Sequence, residues 1–139
     1  MKSFQSRVYP WLRECFGTAI AADPRERNHR FLEESLELVQ ACGCTRDEAM
    51  QLVDYVYNRP AGEVWQEVGG VMVTLAALCL AHEIDMHLAA EVELHRIWGK
   101  IEQIRKKQAA KPLHGPLPGA TDSIASPQRG EIDTEPQRG

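Results

Sequence analysis

The residues of this chain best suited to chemistry are carboxylates. Glu33, Glu34 and Glu37 fall within Leu32-Glu33-Glu34-Ser35-Leu36-Glu37-Leu38, and Glu63 and Glu67 follow after a spacer. On a helix, Glu34 and Glu37 lie about one turn apart on the same side, and Glu33 and Glu37 are also neighbours. Like charges at these spacings repel by about a few tenths of a kcal/mol per pair. A divalent cation reverses that sign, because hard cations favour carboxylate oxygens. A solvated acidic face accounts for the first group equally well. On a helical wheel Phe31, Leu32, Leu36, Leu38 and Val39 share one arc, Glu33 and Glu37 fall opposite it, and Glu34 lies near its edge.

The second group is harder to explain as a solvated face. Glu67 projects along nearly the same line as Val71, Thr74 and Leu78, with Val64 and Leu75 beside it and Glu63 one turn earlier. An ionised carboxylate in an apolar stripe must be neutral, paired or metal-bound. Two arrangements meet that need: a bundle metal site shared with the first group, or a buried ion pair with Lys100 or Arg105. The basic stretch from Lys100 to Lys111 suits a helix C-terminus, where cations complement the macrodipole. It also suits a phosphate clamp, with Arg105 forking two oxygens and Lys100 giving a point charge. Trp11, Trp65 and Trp98 read as packing residues, and Trp65, close to Glu63 and Glu67, is in addition a candidate for stacking on a base. The five histidines form no H-E-x-x-H pair, and there is no Walker loop, G-x-G-x-x-G or G-x-S-x-G.

Composition narrows the setting. With 16 Lys+Arg against 20 Asp+Glu, the net charge of −4 argues against a nucleic-acid polymer as partner. At 43% hydrophobic but 6% aromatic, the core is expected to be aliphatic. Cys15, Cys42, Cys44 and Cys79 lack zinc-site spacing and read as reduced thiols of a cytoplasmic protein. The N-terminus lacks the apolar core of a signal peptide, and the apolar run Val71 to Ala81 is well short of the roughly 20 residues that span a bilayer. No membrane association is expected.

The elements that must position the acids read as helices throughout. The expectation is an all-α domain over residues 1–111 and a disordered Pro/Gly-rich tail over 112–139, where Pro-Gln-Arg-Gly occurs twice. A short helix is expected from about Val8 to Phe16. Asp23-Pro24-Arg25-Glu26 starts a second that runs to about Ala41 and stops at Gly43. Thr45-Arg46-Asp47-Glu48 is a capping box for a third, ending near Tyr57. A break at Asn58–Gly62 precedes a long helix from Glu63 to Glu83. Asp85 then caps a last helix from Met86 to about Ala109. The result is a bundle of four main helices plus a short leading one. Between Val68 and Ala81 the fourth helix is apolar nearly all round, so it is expected at the centre of the bundle and against a second subunit.

Two segments together, Leu32 to Leu38 and Gln66-Glu67-Val68-Gly69-Gly70-Val71-Met72, resemble the MazG-like all-α nucleoside triphosphate pyrophosphohydrolases. Their motif is E-E-x-x-E, a variable spacer, then E-x-x-D. The likeness covers about residues 24–110. The wording from Glu67 to Leu75 and from Gln108 to Pro112 also looks like small MazG-like proteins of bacteria and their phages. The resemblance implies Mg²⁺, with Mn²⁺ as a substitute, bound by Glu34, Glu37 and Glu67, with Glu33 assisting; Glu63, one turn before Glu67, is a separate candidate for the charge that the motif's Asp would bring. It implies attack of water on a nucleoside triphosphate, releasing the monophosphate and pyrophosphate, with Lys100 and Arg105 on phosphate. It is also consistent with a homodimer or homotetramer. Gly70 stands where the motif has its Asp. An inactive relative that binds a nucleotide or a protein is the alternative.

Overall fold

The computed structural model describes residues 1–111 and 115–117, so most of the expected tail, 112–139, lies outside the described residues. Those residues form six α-helices and no strand: α1 (Phe4–Ala21), α2 (Pro24–Ala41), α3 (Arg46–Tyr57), α4 (Val64–Ala81), α5 (Met86–Trp98) and α6 (Ile101–Ala109).

Capping chemistry sets most boundaries. The Asp23 side chain accepts from the Arg25 and Glu26 amides, and Pro24 opens α2 with a ring that needs no donor. Past its end, Gly43 adopts φ 89°, and the Cys44 amide reaches back to the Val39 carbonyl at 2.9 Å. That closes the last turn as a Schellman motif. Thr45 and Glu48 form the reciprocal capping box of α3. The α4–α5 corner repeats the device without glycine. There Glu83 takes φ 55°, the Ile84 amide donates to the Cys79 carbonyl at 2.9 Å, and Asp85 accepts from Leu88.

Two helices differ from expectation. The first begins at Phe4, where Ser3 caps the Ser6 amide, and continues past Phe16 across a break at Gly17 (φ 72°, ψ 169°). The expected last helix is two. Gly99 and Lys100 donate to carbonyls only three residues back, and the Ile97 carbonyl is also taken by the Trp11 indole N–H at 3.2 Å. The chain therefore turns at Gly99 and restarts as α6.

The packed part of the molecule is α1 against α5 and α6. Its buried apolar residues are Cys15, Ala21 and Leu94. Trp11 meets Phe16 edge to face at 5.8 Å, and Arg7 is bonded to both oxygens of Glu91. The expectation that α4 sits at the centre of the bundle fails for a single chain, because no residue of α4 is buried. The helix also extends the apolar run back to Val64. Its 18 residues, of mean hydropathy 1.6, are by length and composition enough to cross a membrane.

Candidate functional site

The acids of α2 sit where that helix passes α5 and α6. Glu26, 6% exposed, is held by Arg30 Nε at 3.1 Å and by a hydrogen bond from Gln108 at 2.9 Å. One turn on from Arg30, Glu33 is half-buried. It accepts from the same Arg30 at 2.5 Å and from Lys111 Nζ at 3.1 Å. A chain of alternating charge thus fastens α2 to the end of α6. Charges this far from water persist only when paired in this way.

Among the described residues Glu34 makes no such ion pair, and the charges of Lys107 and Arg96 act on it from a distance. Partial burial, followed by the charges of Glu37, Glu33 and Glu93, pushes its carboxyl above the ordinary range, and Lys107 only tempers the rise. Glu93 contributes from α5, where Arg96 grips it through two bonds of 2.8 and 2.6 Å and holds its carboxyl below the usual range. Four carboxylates therefore converge in field, with Lys107 and Arg96 at the margin. Glu93 was not singled out from the sequence. Its signal was the Glu93–Arg96 spacing.

Glu67 stands apart from this cluster. Expected in a stripe that demands a partner, it is exposed, as is Glu63, in the first turn of an uncovered helix. Its carboxylate folds back over Gly62, where a Cβ would collide with it. The Glu63 carbonyl accepts the Glu67 amide at 2.9 Å, but the Glu63 side chain caps nothing. Trp65 is 91% exposed and touches no other ring among the described residues. Gly70, where the motif has a carboxylate, borders open space.

The basic candidates also part company. Lys100 is the N-terminal boundary residue of α6 and makes no side-chain cap there. Arg105 is committed to α1. Its guanidinium donates to the Glu14 and Cys15 carbonyls, just before the break at Gly17, and it pairs with Glu102. With Glu26, Gln108 and Lys111 it lines an open cavity of about 300 Å³. Among the described residues no group of three or more His, Cys, Asp or Glu side chains is placed to hold a metal ion. A single chain therefore does not fit the Glu34, Glu37 and Glu67 ligand set. Comparison with protein-family models, curated proteins and solved structures finds no match to this chain.

Proposed function

We propose that this chain is a Mg²⁺-dependent nucleoside triphosphate pyrophosphohydrolase. It would turn a ribo- or deoxyribonucleoside triphosphate and water into the monophosphate and pyrophosphate, as nucleotide-pool housekeeping in the cytoplasm. Mn²⁺ would substitute for Mg²⁺. The observation that carries this reading is the gathering of Glu33, Glu37 and Glu93 around the partly buried carboxyl of Glu34. Burial raises its carboxyl first, the charges of Glu37, Glu33 and Glu93 add to the rise, and Lys107 and Arg96 oppose it. A fold gains nothing from such repulsion, whereas a hard cation bridged to phosphate would relieve it. The resemblance of Glu33–Glu37 and Glu67 to the MazG-like motif supports the same chemistry, and Lys107 and Lys111 add cations beside these acids. A second reading, a nucleotide- or protein-binding relative without turnover, is favoured by one residue: Gly70 in place of the motif's Asp.

The test is pyrophosphate release from a panel of nucleoside triphosphates with Mg²⁺, with Mn²⁺ and with EDTA. The enzyme reading expects metal-dependent release that falls at least about 100-fold in Glu34→Ala, about 2.7 kcal/mol of transition-state stabilisation. Nucleotide binding without any release would establish the second reading instead.

A further inference from the structure

The corner between α2 and α3 carries two thiols that the proposed hydrolysis does not use. Cys42 caps the end of α2, Gly43 follows in the left-handed region at φ 89°, and Cys44 comes next. The Gly43 amide donates to the Gln40 carbonyl at 3.0 Å, and the Cys44 amide to the Val39 carbonyl at 2.9 Å. The chain is therefore folded back on itself between the two cysteines. In an extended chain, Cα atoms two residues apart stand roughly 6.6–7.2 Å from each other. A helical residue of either hand between them shortens this to about 5.5 Å. That lies well inside the span of roughly 4.4–6.8 Å that a disulfide bridges without backbone movement.

Access favours the same corner. Cys42 and Cys44 are both half-buried, whereas Cys15, 4% exposed, is closed off. A Cβ built on Gly43 would meet nothing within 4 Å beyond its chain neighbours, so the approach to the turn is open. The glycine thus supplies a φ that other residues rarely adopt and a clear path to the sulfurs on either side.

We propose that Cys42 and Cys44 form a redox-active dithiol that exchanges with low-molecular-weight disulfides of the glutathione type. One thiol loses its proton to solvent, and its thiolate attacks a sulfur of the small disulfide. The S–S bond of the reagent breaks, the leaving thiolate takes a proton, and a mixed disulfide remains on the protein. The second cysteine then gives up its proton and attacks the protein-bound sulfur, which releases the other small thiol. The pair loses two electrons and two protons in forming the Cys42–Cys44 bond, and the reagent gains both as two thiols. A disulfide that opens and closes in this way suits a reducing compartment, where lasting structural disulfides are rare. Closure also withdraws a donor from the start of α3. The Cys44 thiol donates to the Thr45 carbonyl at 3.6 Å and lies beside Glu48, the two residues of the capping box.

The proposal is independent of the nucleotide chemistry. Its test exposes the reduced full chain to an excess of glutathione disulfide, quenches with acid, alkylates the remaining thiols and digests with trypsin. Both cysteines fall in one tryptic peptide, Phe31 to Arg46, which contains no other cysteine. Mass spectrometry should find that peptide unalkylated and lighter by two hydrogens. It should form at a rate independent of protein concentration, and reduced glutathione should return it to two free thiols. Cys42→Ser and Cys44→Ser chains, with wild-type helical circular dichroism, should each lose closure and stop at one glutathione on the remaining thiol of the peptide. Cys79→Ser should leave closure unchanged, since no thiol lies two residues from Cys79. A wild-type peptide that keeps bound glutathione or stays fully alkylated overturns the proposal. So does a disulfide that joins either cysteine to Cys15, to Cys79 or to another chain.

Discussion

Between α1 and the end of the chain, side chains bond across long stretches of sequence. Arg7 reaches Glu91, Trp11 the Ile97 carbonyl, and Arg105 the Glu14 and Cys15 carbonyls, while Gln108 and Lys111 hold Glu26 and Glu33. From Glu34 to Asp85 the pattern inverts. Every side-chain hydrogen bond of the described residues there joins positions no more than four apart, as in the Thr45–Glu48 box and the Thr74–Gly70 bond. The second region is well formed locally and uncovered globally. A cap contributes about 1 kcal/mol, while ordering the backbone costs about 1–2 kcal/mol per residue. Local bonds therefore cannot hold α3 and α4 in place without apolar burial, which the described residues do not supply.

The sharpest way to break this contrast is to remove the packing of the closed half. Leu94, 7% exposed on α5, is its largest buried apolar side chain. Leu94→Ala should cost about 2–3 kcal/mol, toward the lower part of the range for buried leucines because the site is shallow. Urea unfolding at fixed protein concentration measures it, with hydrogen exchange to locate the loss in α1 and α5. A cost below about 0.5 kcal/mol would mean the closed half is no better packed than the open one.

A smaller change loosens the same half without a cavity. Arg105→Lys keeps the charge but loses the planar fork over the two carbonyls beside Gly17. The expected loss is about 1 kcal/mol, the scale of one or two net hydrogen bonds, with KM for nucleotide unchanged. Unchanged stability with a raised KM would return Arg105 to the phosphate role that its position in the basic stretch suggests.

What the sequence disclosed follows the same division. Capping boxes and Pro24 act through neighbours, so the starts of α2, α3 and α5 were legible, as was the stop at Gly43. The split at Gly99 was not, because it depends on Trp11 drawing the Ile97 carbonyl out of the helical ladder from 86 positions away. Gly17 was passed over for a related reason: the break is held by Arg105, and nothing local announces it. Helical periodicity placed Glu34 and Glu37 on one side, yet it could not say that Glu93 lies near them, since the approach of α5 is a tertiary event. For Glu67 the stripe argument assumed a cover that the described residues do not supply.

The smallest expected effect lies at the junction of the two regions and has the opposite sign. In metal-free protein, the Glu34 carboxyl is raised above its ordinary range by partial burial and by Glu37, Glu33 and Glu93, with Lys107 opposing. A raised folded-state value means that the native state holds this proton more tightly than the unfolded chain does. The contribution to stability is then fully present below the ordinary carboxylate range and is lost as pH rises through the raised value. Glu34→Gln removes that loss. With EDTA present it should raise stability at neutral pH by about a few tenths of a kcal/mol for each like-charge neighbour relieved. The gain should vanish near pH 4, where the wild-type carboxyl is protonated in the folded state. Thermal unfolding at both pH values tests the sign. Added Mn²⁺ should reverse it, stabilising the wild type and leaving the variant unmoved, because a cation that binds only the native acids raises stability by mass action. A variant less stable than wild type in EDTA at neutral pH would show that Glu34 is already satisfied, and the charge asymmetry between the two regions would lose its point of contact.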